Sequence, residues 1–164
     1  MHTRILQPKH GPTLLVRPLR HGDVHTVIAV FSRLGDASRR ARFNGPKPCL
    51  NASELRQLAS VDRTRHALVA YVEGDPHPVA IARLVRDGHT AEIAFAVVDE
   101  HQHRGIGSAL AAELVADARA AGITEITALA ASDNRAAVAL LRRISNVLDV
   151  RLEGPELSIR AAIA

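Results

Sequence analysis

The sequence predicts a single α/β domain built from seven strands and four helices. Three observations lead there. The chain has 164 residues, 47% hydrophobic and 23% charged, the balance of an ordinary soluble globule long enough to bury most of the surface its unfolded form exposes. Segments of two-residue apolar alternation interleave with segments of helical period, in the order strand, helix, helix, three strands, helix, strand, helix, two strands. Between an alternating apolar strand and an Ala-rich helix stands Gln102-His103-Arg104-Gly105-Ile106-Gly107. Glycines there let an anion approach the unpaired N–H groups and positive dipole end of a helix start, which makes a phosphate cradle.

Residues 1–12 read as an N-terminal extension and 13–164 as the domain. Thr13 to Arg20 form a first strand interrupted by Pro18, which cannot donate to a ladder. Asp23 caps a helix whose stripe is Val24, Val27, Ile28, Phe31 and Leu34, with Gly35 closing it. Residues 36–48 hold Arg39, Arg40 and Arg42 and then Asn44-Gly45-Pro46, a breaker string that implies a loop, with room for a helical turn before it, and this loop is a candidate substrate rim. Asn51 and Glu54 have capping-box spacing, flanked by Leu50 and Leu55 as a hydrophobic staple, and predict a short helix over 52–60.

Strands over 65–73 and 78–86 flank Glu73 to Pro78, whose Gly and Pro residues favour a hairpin. The next strand, Thr90–Val98, is apolar on both faces and therefore central, with Glu92, Ala94, Ala96 and Val98 on one side. A helix from Gly105 to Ala121 turns Ile106, Leu110, Leu114 and Ala118 inward and Glu113 and Asp117 outward. A strand over Ile123–Ala130 follows, then a helix capped by Ser132 or Asp133 and running to Ile144, then two short strands around Glu153-Gly154-Pro155.

Composition narrows the function classes. With Phe 3, Tyr 1 and Trp 0 there is no platform for base stacking, and the Arg residues behind the net charge of +4 are scattered, so no nucleic-acid partner is expected. The lone Cys49 has no internal disulfide partner and no His-Asp arrangement around it, and no apolar run has the length of a membrane span, so a reducing cytoplasm is the expected address. His101 and His103 lack a ligand set of recognisable spacing, and no metal is expected. Two rival phosphate motifs fail as well. Leu110 occupies the last glycine position of a dinucleotide fingerprint, and no Gly-Lys-Ser/Thr ending exists.

The element order, together with Ala91-Glu92-Ile93-Ala94-Phe95, the Gln-x-x-Gly-x-Gly motif, Asn134 and Leu140-Leu141-Arg142-Arg143, resembles the GNAT superfamily of acetyl-CoA-dependent N-acetyltransferases. The chain is most similar to the bacterial protein lysine acetyltransferases among them, in a single-domain form without a fused nucleotide-sensing domain. The resemblance implies a mixed, mostly antiparallel sheet that opens as a V near Val98. It implies acetyl-CoA as co-substrate, held by the backbone of Ala96, Val97 and Val98 along the pantetheine arm. Gln102, His103, Arg104, Gly105, Ile106, Gly107 and Ser108 would wrap the pyrophosphate, Asn134 would contact the pantetheine, and Arg104, Arg142 or Arg143 would neutralise phosphate. The acceptor it implies is a primary amine, with a protein lysine leading, acted on by a monomer or a homodimer.

Glu92 interrupts an apolar strand and matches a general-base position in some lysine-acetylating members. A lysine amine, with a free pKa near ~10.4, must lose a proton before it can attack a thioester, and a carboxylate in a partly apolar cleft is a suitable base. The alternatives are a cross-strand pair with Arg83 or Arg86, or plain solvent exposure. Two departures from the family pattern stand out: Leu141 where many members place a Tyr acid, and Ile144-Ser145-Asn146 in place of a Gly-Phe pair, where Asn146 could still provide a left-handed cap. They leave open a non-catalytic acetyl-CoA-binding regulatory module or a small-molecule amine acetyltransferase.

Overall fold

A computed structural model describes residues 3–145 and 147–163, so Asn146 lies outside the described residues. Eight strands form one sheet in the order β1-β2-β3-β4-β5-β6-β8-β7, with β1 Arg4–Leu6, β2 Leu14–Pro18, β3 Arg65–Val72, β4 Ala80–Asp87, β5 Thr90–Val97, β6 Glu125–Ala131, β7 Leu148–Glu153 and β8 Glu156–Ala162. Five α-helices flank it: α1 Val24–Ser32, α2 Asp36–Phe43, α3 Ala52–Leu58, α4 Ile106–Ala120 and α5 Arg135–Ile144. All neighbours are antiparallel except β5 and β6, which run parallel. The expected mixed sheet is present, with one more strand and one more helix than the periodicity indicates. None of the described helices is long and apolar enough to cross a membrane.

Alternation along β4 and β5 sorts the layers. Ile81, Arg83 and Ala96 face α1, α2 and α3, while Val97 faces α4, where it lies 3.7 Å from the position a Cβ on Gly107 would take. The α4 stripe is as expected: Ile106, Leu110, Leu114 and Ala118 are at most 1% exposed. Burying such a row contributes roughly 1.5–3 kcal/mol for each large apolar side chain. Glu113 and Asp117, read as facing outward, are instead both held by Arg4 of β1 at 2.6 Å, and His66 Nε2 approaches Asp117 at 2.9 Å.

Local signals hold where the cap chemistry is explicit. Asp23 accepts from Thr26 N at 3.1 Å, and Asn51 and Glu54 complete both bonds of the capping box at 2.9 Å. Two boundaries differ. Gly35 does not close α1; it precedes α2, where an added Cβ would stand 2.5 Å from Asp99 Oδ2. Asn134, rather than Ser132 or Asp133, caps α5, accepting from Ala137 N at 3.1 Å. Residues 36–43, read as part of a loop, are the helix α2, ended by Asn44 in a left-handed conformation at φ 54°. This helix has no buried residue and so no apolar stripe to announce it.

Candidate functional site

β5 and β6 pair only at Thr90–Glu125, Ala91–Ile126 and Glu92–Thr127. Beyond Glu92 the two strands part, while β6 stays paired with β8 and β5 with β4 along their whole lengths. The V therefore opens at Ile93, five residues before the expected Val98. A cleft of about 820 Å³ fills the opening, bounded by β5, β6, α2, α5 and the start of α4.

At the start of α4 the backbone supplies donors. His103 and Gly105 take positive φ values of 59° and 78°, and α4 begins at Ile106. None of the six consecutive N–H groups from His103 to Ser108 donates to a described residue; the first inward bond is Ala109 N to Gly105 O at 3.0 Å. Left-handed residues turning N–H groups toward one side, followed by a helix N-terminus, make an anion site. The N-terminal segment presses on this loop from behind. A Cβ on Gly11 would fall 2.2 Å from Arg104 O, and one on Gly105 would fall 3.1 Å from His10 O.

The 3₁₀ turn Asp99–His101 leading into the loop is tied down by charge. Arg33 bonds Asp75 at 2.7 Å and Glu100 at 3.1 Å, and His101 approaches Asp75 at 3.0 Å and Arg104 at 3.0 Å. The Arg33 hydrogen bond, outweighing partial burial and aided by the His77 N–H, holds the Asp75 carboxyl down at about 2.

Most residues expected at the coenzyme do line the cleft: Ala96, Val97, Gln102, His103, Gly105, Ile106, Gly107, Ser108, Asn134 and Arg143. Three differ in role. Val98 is fully buried, its N–H donates to Val79 O and its C=O accepts from His101 N, so it has no backbone group to offer an extended ligand. Gln102 already uses its N–H on Asp99 O, and its side-chain amide donates to Val97 O and Ser38 Oγ at 2.9 Å, fastening α2 to the end of β5. Arg104 is exposed and turned to His101, outside the cleft lining. Arg143 donates to Ser108 Oγ at 2.9 Å, bridging α5 to the cradle, while Arg142 is exposed.

Glu92 occupies the apex of the V, between Val85 on β4 and Thr127 on β6, and is exposed. Its exposure matches the alternative of a solvent-facing residue. Neither cross-strand alternative is realised. Arg83 lies opposite Ala94 and caps the end of α3 through the carbonyls of Leu58, Gln57 and Ser60, and Arg86 donates to Gly88 O at 2.9 Å. Leu141 is 2% exposed, and Tyr71 accepts from Arg17 at 2.7 Å on β3, so neither brings a phenol to the cleft.

Ala37, Ser38, Ala41 and Arg42 fall within the 36–48 segment read as a substrate rim, but they reach the cleft on the helix α2 rather than on a loop. Burial first, then the charge of Arg83, lowers the Arg42 pKa to about 10, opposed by the attraction of Glu92. The clustering of three arginines within 39–42 was the available signal. Among the described residues no group of three metal-ligating side chains comes together.

A parallel pair that splays over a helix-start cradle defines a class, and the family comparison agrees with it: the chain belongs to the acetyltransferase (GNAT) family, whose model matches residues 34–145. It is 33% identical over 146 residues to acetyltransferase Pat of Mycolicibacterium smegmatis, covering 87% of this chain and 44% of that protein. It is 30% identical to acetyltransferase PA5475 of Pseudomonas aeruginosa, over 77% of this chain and 70% of that one. The solved GNAT domain of S. lividans PAT superposes with a TM-score of 0.85 at 25% identity, covering 98% of this chain and 96% of that one. The chain thus spans less than half the length of Pat.

Proposed function

We propose that this protein transfers an acetyl group from acetyl-CoA to a primary amine, with a protein lysine as the leading acceptor. The observation that carries the reading is the run of six unpartnered N–H groups from His103 to Ser108, of which His103 and Gly105 to Ser108 line a cleft that reaches along β5 to Ile93, next to Glu92. Six donors and a helix dipole suit the pyrophosphate of coenzyme A, and membership of the GNAT family supports that choice. The splayed edge of β5 at Ala96 and Val97 suits an amide-bearing pantetheine, which can add to it as a strand would. Asn134 spends its carbonyl oxygen on capping α5 and keeps its amide N–H groups for the same arm.

In this reading Glu92 takes a proton from the acceptor ammonium, directly or through water. The freed amine attacks the thioester carbonyl, a C–N bond forms, the C–S bond breaks, the sulfur leaves as thiolate, and the second proton shed by the nitrogen passes through water to that thiolate. With Leu141 in place of a phenol, the thiolate departs without a side-chain acid at that position, which a thiol of pKa about 8.5 permits. That same leucine favours a second reading, a coenzyme-binding module without turnover. Calorimetry with acetyl-CoA paired with thiol release over an amine panel separates the two. Binding with amine-dependent thiol release is expected; binding without release on every amine overturns the enzymatic reading.

A further inference from the structure

The cleft contains a cation that its own fold leaves without an anion. Arg42 stands at the end of α2, where that helix crosses the gap between β5 and β6, and its half-buried side chain lines the cleft beside Ala96. Its guanidinium carbon lies 4.9 Å from the centroid of the Phe43 ring, and among the described residues it has no hydrogen-bond acceptor and no ion pair. Its neighbours do not remedy this. Arg83 is occupied with the carbonyls at the end of α3 and adds only repulsion, and Arg39 donates to Pro48 O and lies over Phe31. Glu92 attracts Arg42 without pairing with it.

A partly desolvated guanidinium with its donors unused is costly, and proteins ordinarily pair such groups. The direction of α2 shows which occupant of the cleft this one faces. The start of the helix lies at the cradle, with Gly35 against Asp99 and Ser38 bonded to Gln102. Its end carries Arg42 away from the cradle, to Arg83 on the strand position next toward Glu92. Arg42 is therefore at the acceptor end rather than at the phosphates. An anion at the apex and a free cation on the helix above it are complementary to a molecule bearing an ammonium and a carboxylate side by side.

We propose that Arg42 determines specificity by binding a carboxylate of the acceptor next to the amine that is acetylated. This rests on the reading of the cleft as an amine acetyltransferase site. The carboxylate is either an Asp or Glu side chain beside the acceptor lysine or the α-carboxylate of a free amino acid; in both, the planar guanidinium donates two parallel N–H···O bonds to its oxygens.

The test uses the whole chain, acetyl-CoA and two matched acceptor pairs, with thiol release as readout. One pair is a peptide with a single lysine flanked by Glu and the same peptide flanked by Gln. The other is leucine and its carboxamide, which share an α-amine and differ in the carboxylate beside it. In at least one pair the carboxylate member should be preferred by about 10- to 100-fold in kcat/KM, the size of a charge-assisted pair, and which pair responds identifies the source. In Arg42→Gln the preference should fall to near one, and Arg42→Lys should restore part of it. Equal rates on both members of both pairs overturn the proposal, as does an Arg42→Gln variant that slows both members by the same factor or loses acetyl-CoA affinity. Coenzyme binding with no turnover of any acceptor instead overturns the acetyltransferase reading, and this inference with it.

Discussion

Gly11→Ala places one methyl group between the N-terminal segment and the cradle. The added carbon would stand 2.2 Å from Arg104 O and 3.5 Å from Pro8 Cβ, so the two backbones must part by about 0.8 Å to bring the first contact to even 3.0 Å. Neither neighbour is a flexible side-chain end. Overpacking of this kind costs about 1–3 kcal/mol, and in a domain of this length each kcal/mol lowers Tm by roughly 2–4 °C. The displaced loop carries the N–H groups of His103 to Gly105, and charge-assisted bonds near ~2.8 Å weaken sharply when stretched by an ångström. Losing one or two of them, at about 1.5 kcal/mol each, weakens acetyl-CoA binding by about 10- to 100-fold. Calorimetric titration of wild type, Gly11→Ala and Gly45→Ala measures it, since a Cβ on Gly45 meets nothing within 4 Å and serves as control. A Gly11→Ala protein that melts lower but binds acetyl-CoA like wild type would refute the reasoning, because the strain would then be absorbed in the N-terminal segment.

Glu92→Gln should lower kcat by about 10²- to 10³-fold while calorimetry finds the acetyl-CoA affinity unchanged; an unaltered kcat removes Glu92 as the base. Asp75, held down at about 2 chiefly by the Arg33 hydrogen bond, has a folded pKa below its unfolded value near 3.8. The stabilisation it contributes is therefore present above about pH 4 and fades as pH falls toward 2. Melting curves should show Asp75→Asn less stable than wild type at pH 7, with the gap closing across that acid window. Arg4→Ala, which removes two partly exposed ion pairs to α4, should cost about 1 kcal/mol and a few degrees of Tm, with less effect on coenzyme affinity than Gly11→Ala.

Elements that carry their own periodicity or capping chemistry were legible in the chain. The α4 stripe buries the side chains that its spacing indicates, and the Asn51/Glu54 box forms as written, because these signals depend on neighbours within a turn or two. Elements stabilised from outside were not. β1 has three residues, too few to show a period, and its Arg4 is anchored on α4 more than a hundred residues later. α2 buries none of its residues, and rests instead on β5 and β6 with small side chains over an open cleft.

The α/β order, the glycine-bearing helix start after the central strand and the family were readable from the chain alone, since glycine spacing and helix starts are properties of consecutive residues. Tertiary structure decided where the sheet opens, because β6, paired with β8 along its whole length, stays beside β5 only from Glu125 to Thr127. It also withdrew Val98 by pairing its N–H with Val79 and its C=O with His101, packed the N-terminal segment against the glycine loop, and brought Arg42 to the cleft lining. Each of these is a contact between residues far apart in the chain, and no local pattern encodes which distant partner a backbone group or a charge will meet.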